Sequence, residues 1–396
     1  MLVGLAVFAI LVSGMGAETL RDPIKKKGAG PLFQIHHGKK WGYMDRSGKT
    51  AIPPQFDDEG DFFSGRAKVR QGKEWGYVDE TGRVVVPLQF DNAGDFREGL
   101  APVQSGRKWG FVDPAGRFAI EPQFQAAAEF SDGLARFEIW ETIKCGPSDY
   151  KGKEDITYSK DNAPLFAFRM HDRTSGANLG CFPPDARYGF VDKRGWIAVP
   201  PRFLHVGDFS DGLAPARSAG SSDQKLGYID RTGRMVIEPQ FDQAYSFSEG
   251  LAAVEIGVRF QGSRQVAGSW GFIDRQGKFA VPARYFMADS FSEGLAAVSL
   301  PGTVSGYIDA SGVFKIPPRY VVATAFSEGL ALVWPEDGGD EYYIDRTGKT
   351  ALALKLPALW PFRDGLTVAG NQGEQRYVDR EGRAVAPYET DPQLGE

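Results

Sequence analysis

The chain has 396 residues, a formal net charge of −5 and 13% aromatic residues, 28 of them Phe. Its 49 Gly and 25 Pro make about 19% of the chain, against a norm of about 12%, which excludes long helices and coiled coils. The apolar content excludes a disordered chain, and the acidic balance argues against a general nucleic-acid binder.

In chain order, Leu2 to Val12 is almost wholly apolar, Ser13 to Ala17 is small, and Glu18 to Lys27 is polar. That is the layout of a secretory signal peptide over residues 1–17, although the usual basic start is missing. The apolar run is shorter than the roughly 20 residues a spanning helix needs, so no integral membrane span is expected in the mature chain. A polar linker follows over 18–30, and its run Lys25 to Lys27 reads as solvated. The expected location is periplasmic or extracellular.

From residue 31 the chain repeats. Trp41-Gly42-Tyr43-Met44-Asp45, Trp75-Gly76-Tyr77-Val78-Asp79 and Trp109-Gly110-Phe111-Val112-Asp113 recur at a spacing of 34. Weaker copies begin at Tyr188, Leu226, Trp270 and Ser305, and two begin at Glu341 and Gln375, where Tyr342 and Arg376 replace the Gly. All nine copies keep an aromatic residue at the third position, an Asp at the fifth and a Gly three residues after the Asp. A second signature, Phe-Ser-Glu-Gly-Leu-Ala, puts its Gly 23 residues after the first-motif Gly position in eight copies. Every change of length falls between that Gly and the next first motif. A fixed block therefore alternates with one loop that accepts insertion.

This pattern resembles the WG-repeat (KWG-repeat) family of bacterial proteins over about residues 31–388. The resemblance implies a repeat scaffold of binding function. It brings no catalytic residues and no cofactor.

Physically, aromatic-x-Asp-x-x-Gly reads as strand, turn, strand. The Asp accepts amide hydrogen bonds two residues on, and the Gly takes a left-handed conformation that closes the turn with a bulge. The second strand is expected to end at Pro53, Pro87, Pro200, Pro282, Pro317 and Pro387, because Pro lacks a ladder donor. A connector then leads to the Ser-Glu-Gly turn, and Leu-Ala-x-Val makes a third strand. The expected fold is all-β: nine three-stranded meanders stacked as an open, curved, solenoid-like array, with a closed propeller-like ring as the alternative. The invariant aromatic and the second-signature Phe are the expected interlocking core.

The largest excursion, at 138–187, holds Trp140, Tyr150, Tyr158 and His171 as candidate binding residues. It also holds Cys145 and Cys181, which export would allow to pair as a disulfide; two buried thiols are the alternative. Smaller excursions occupy Glu255 to Ser269, Arg217 to Lys225 and Pro335 to Glu341, all at one hairpin position. Insertions on one face of a repeat protein commonly form its binding face. No nucleophile-base-acid spacing, P-loop or metal motif is present, so an enzyme is not expected. One Asp per turn is too few oxygens for calcium, and the residues before the second-signature Gly (Glu98, Glu249, Glu293, Glu328) read as turn formers first and an acidic stripe second. The expected partner is a protein or cell-envelope component. The alternative is a glycan stacked on repeated Trp and Tyr rings. The polar tail, 389–396, carries no second anchor.

Overall fold

The computed structural model describes residues 30–139, 186–218, 224–261, 264–302, 304–354, 357–358, 360–371 and 374–388. Within the insertion it describes the short strands Gly146–Pro147, Met170–His171 and Asn178–Gly180. All regular structure among these residues is β.

Each repeat folds as an antiparallel meander. In unit two the leading strand Arg66–Gln71 pairs with the WG strand Glu74–Asp79, which pairs with the trailing strand Val84–Phe90. The leading strand is the third strand of the sequence reading, and the three-stranded core is as expected. The connector adds to it. Asp58–Glu59, which follows the trailing strand of unit one, pairs with the leading strand of unit two and makes its sheet four-stranded. At two places the trailing strand and this edge strand are continuous, as Ile197–Val206 and Phe314–Ala323, so the flanking units share a seven-stranded sheet.

The expectation that Pro ends the trailing strand is corrected. The strand passes through Pro53, Pro87, Pro200, Pro282 and Pro317; only in unit nine does it stop at Pro387. The register explains this. Tyr77 opposes Val86 while Trp75 opposes Phe90, so the trailing strand bulges over its Pro, where the ladder asks for no donor. The bulge also explains the motif Gly. A Cβ on Gly76 would lie 2.6 Å from Val86 O and 2.8 Å from Pro87 C, so only Gly lets the two backbones meet. Units eight and nine lack this bulge: Tyr342 and Tyr343 oppose Ala353 and Leu352 in step, as Arg376 and Tyr377 oppose Pro387 and Ala386, and the register shifts only at the following pair. Those are the two units that dispense with Gly.

Units stack by burying aromatics between sheets. The third-position residues Tyr43, Tyr77, Phe111, Tyr228, Phe272, Tyr307 and Tyr343 are fully buried, and the second-signature residues Phe96, Phe209, Phe247, Phe291, Phe326 and Phe362 nearly so. Their rings meet edge to face, for example Tyr77 on Phe96 at 4.7 Å and Phe272 on Phe291 at 4.8 Å. The phenol then crosses to the next connector: Tyr43 Oη donates to Gly60 O at 2.7 Å, and Tyr307 Oη to Thr324 O at 2.8 Å.

Stacking is between neighbours only, as in a solenoid, and the array curves until its ends are neighbours too. Phe33, Ile35 and Met44 of unit one share a core with Leu366, Val368, Tyr377 and Val385 of unit nine. The turn Gly of each unit sits on a branched side chain of the unit before it, as Gly116 sits on Val86, and Gly48 sits on Val385 in the same way. Tyr377 Oη donates to Gln34 O at 2.9 Å, and Arg363 pairs with Asp61. The solenoid-like array thus reaches the ring alternative, and among the described residues no sheet closes into a barrel.

Candidate interaction surface

The meander gives the array two ends. At the turn end, each Asp-x-x-Gly turn closes as expected. Asp45 Oδ1 accepts from Ser47 N at 2.9 Å, from Ser47 Oγ at 2.6 Å and from Lys49 N at 3.2 Å, and Gly48 has φ +86°. The hydroxyl and amides hold the carboxyls of Asp45, Asp79 and Asp345 below the usual carboxylate range.

The second-signature acids do more than form turns. Glu98, Asp132, Glu249, Glu293 and Glu328 stand at φ between 49° and 55°, each followed by a left-handed Gly, which is a two-residue type I′ hairpin. Their carboxylates then accept the turn amide of the next unit. Gly212 N donates to Asp132 at 2.8 Å, and Gly294 N, Gly329 N and Gly365 N donate to Glu249, Glu293 and Glu328, each at 2.9 Å. Lys193 pairs with Glu98 and Arg380 with Glu328, both at 2.8 Å. The expected acidic stripe is therefore engaged in holding units together. Sequence reading missed this latch, although an acid before every second-signature Gly from Glu98 onward was its visible trace.

The hairpin end is different. It carries the turns between leading and WG strands, and all four excursions emerge there. In units two, three and six an Asp after the trailing strand caps the neighbouring hairpin: Asp57 accepts Gly72 N at 2.7 Å, Asp91 accepts Gly106 N at 2.7 Å and Asp242 accepts Val258 N at 3.1 Å. In units seven and eight the same positions are apolar. Phe286 N donates to Ser299 O as Asp57 N donates to Arg70 O, and Met287 pairs with Ser299 as Asp58 pairs with Arg70. Phe286 and Met287 are each 47% exposed, and Val321 in the next unit is 52% exposed.

Of the candidate residues in the insertion, Trp140, Tyr150, Tyr158, Cys145 and Cys181 lie outside the described residues. His171 lies in the short strand Met170–His171, of which the backbone alone is described. Gly146 pairs with Gly180 across that small sheet.

The motif tryptophans are not free rings. Trp270 is buried against Tyr245 at 4.9 Å, and Trp41, Trp75 and Trp109 are half-buried. Trp196, which replaces the basic residue after a turn Gly, is 70% exposed and carries the Arg194 guanidinium at 5.3 Å. Among the described residues no three His, Cys, Asp or Glu side chains gather to hold a metal. No helix among them is long and apolar enough to cross a membrane. Several buried connector acids, Glu59, Asp95, Asp208 and Asp289 among them, are held above the usual carboxylate range by burial. Burial, with Asp58 and Asp61 beside it, pushes Glu59 up to about 7, and burial alone pushes Asp289 up to about 6.

These features define a class: an all-β repeat scaffold with a self-bonded turn end and a variable, partly apolar hairpin end. The chain belongs to the family built on the WG containing repeat, whose model matches residues 41–75, 75–109, 109–139, 188–220, 227–257, 270–300 and 306–333. The WG strands of units eight and nine, which lack the motif Gly, lie beyond those matches. No curated protein matches the chain in sequence. Among solved structures it is similar to the computationally designed Ika8 protein, with 11% identity over 88% of this chain and 99% of that one, at a TM-score of 0.43. It is similar to BamB from Moraxella catarrhalis, with 12% identity over 79% and 90%, at a TM-score of 0.38. It is also similar to the extracellular domain of BT4673 from B. thetaiotaomicron, with 11% identity over 91% and 60%, at a TM-score of 0.24.

Proposed function

We propose that this protein is a non-catalytic exported scaffold whose hairpin end docks another protein or a cell-envelope component. One observation carries the reading: the large insertion, the three smaller excursions and exposed Phe286, Met287 and Val321 all belong to that end, while the acids of the turn end are engaged in its own hydrogen bonds. Half-exposed Phe286 and Val321, at positions where sister units place a capping Asp, together with neighbouring Met287, mark a contact surface. Export is supported by the signal-peptide layout of residues 1–17. In an oxidising compartment Cys145 and Cys181 would join and brace the insertion, and non-reducing mass spectrometry of exported protein would show the bond.

The test is a pull-down from envelope extract with three chains: wild type, a Phe286→Ser/Met287→Ser/Val321→Ser variant, and one lacking Thr142 to Asp185. Partners held by the wild type should be lost from at least one variant, while Arg117→Ser at the turn end retains them. An unchanged partner set in both hairpin-end variants refutes the reading. A glycan reading has one foothold, exposed Trp196; if Trp196→Ala leaves retention on cell-wall glycan unaltered, that foothold is gone.

A further inference from the structure

The trailing strand of unit eight, Thr350–Ala353, stands last in its sheet, and among the described residues no strand pairs with its outer side. Every other trailing strand holds at least one Pro, as at Pro87 in unit two, Pro239 in unit five and Pro387 in unit nine. Pro on a sheet edge removes a donor and hinders the addition of another strand. Unit eight has Thr-Ala-Leu-Ala instead, with Thr350, Ala351 and Ala353 exposed. An exposed edge with neither Pro nor bulky side chains is a template for a further strand.

Unit nine shows which way the edge groups point. Arg376 opposes Pro387 there as Tyr342 opposes Ala353 in unit eight. Tyr388 N donates inward to Gln375 O at 2.9 Å, so by alternation the backbone groups of Pro387 face outward. Ala353 has the same register, and its N–H and C=O face outward as well.

The charges around this edge are sorted by end. The strand runs from the turn end to the hairpin end. Exposed Arg346 and Lys349 stand at its start, while Glu336, Asp337 and Asp340 are exposed in the hairpin of the same unit. The hairpins of units one to three place a base after the turn Gly instead, at Lys39, Lys73 and Arg107. A second copy related by a two-fold axis would pair antiparallel with the edge of unit eight and bring its own turn end beside the hairpin end of the first. Bases of each copy then meet acids of the other. In units one to three the same arrangement would set bases against bases.

We propose that two copies of this chain associate through the outer edges of unit eight, Thr350–Ala353 of one pairing antiparallel with Thr350–Ala353 of the other, and that the sorted charges fix the direction. This contact is separate from the apolar positions around Phe286 at the hairpin end.

Sedimentation velocity of the full chain over a concentration series, under reducing conditions, tests it. The wild type should dimerise, and added salt should weaken the dimer. Ala353→Pro installs the residue that unit nine accommodates in the same register, so the fold should hold. The dimer dissociation constant should then rise about tenfold or more, because the two-fold axis removes each edge bond twice. Lys349→Glu should also weaken the dimer, and adding Asp340→Lys should restore it. A wild type that stays monomeric, or a dimer that Ala353→Pro leaves unchanged, overturns the proposal. So does a dimer lost on Phe286→Ser/Met287→Ser, which would place the contact at the hairpin end. If Ala353→Pro does not fold, the charge pair decides: no effect of Lys349→Glu, or no rescue by Asp340→Lys, overturns the proposal.

Discussion

The close approach at the motif Gly makes a sharp prediction. Gly110 has no left-handed φ, so its need for Gly is a matter of space alone. A Cβ there would lie 2.5 Å from Ile120 O, 2.7 Å from Pro122 N and 2.9 Å from Glu121 C. Ordinary contact begins at 3.4 Å, so the trailing strand must retreat by about 0.9 Å against backbone that has no rotamer to yield. The retreat would pull Phe124 from its stacked place on Phe137, 4.5 Å away, and from Phe111. Gly110→Ala should therefore cost about 3 kcal/mol, the upper range for overpacking a filled core. Gly106→Ala is the control. It has φ +63° with nothing within 4 Å, so conformational strain alone should cost it about 1–2 kcal/mol. Urea unfolding followed by tryptophan fluorescence would give both midpoints. Equal shifts for the two variants, or a wild-type midpoint for Gly110→Ala, would sink the argument that the bulge dictates the motif.

Other expectations follow from the same contacts. Tyr228→Phe strips the donor from Tyr245 O, 2.8 Å away, and should lower stability by about 1 kcal/mol while leaving the ring stack intact; a near-UV spectrum altered across the array would contradict so local an effect. Glu328→Ala removes the acceptor of Gly365 N and the partner of Arg380, a loss of about 1–1.5 kcal/mol after screening, and hydrogen exchange should rise first in units eight and nine. Glu59, pushed up to about 7 by burial, holds a proton more tightly folded than unfolded, so it costs stability as pH rises from about 4.5 to about 7. Glu59→Gln, which mimics the protonated form, should melt with wild type at pH 5 and above it at pH 8; a constant offset across that range would refute the sign. The turn carboxyls run the other way. Asp45, Asp79 and Asp345 are held down by their hydroxyl and amide donors, so stability should fall as pH drops below about 3.8, measured by melting between pH 5 and pH 3.

By itself the sequence determined the repeating unit, its strands and turns, the buried aromatic pair and the single site of insertion. Each is set by interactions within about 23 residues, so each leaves a local periodic mark, as the Asp, aromatic and Gly positions do. Tertiary structure decided what lies between units. The trailing strand crosses its Pro because a bulge meets the motif Gly, which a propensity for Pro to end strands does not reveal. Acids that read as turn formers reach across to the next unit, and that reach depends on how sheets stack. The contact of unit nine with unit one joins residues 343 apart at Tyr377 and Gln34, and no local pattern encodes a separation of that length. Curvature is the sum of small rotations at every interface, so the meeting of the ends belongs to the whole array and to no single repeat.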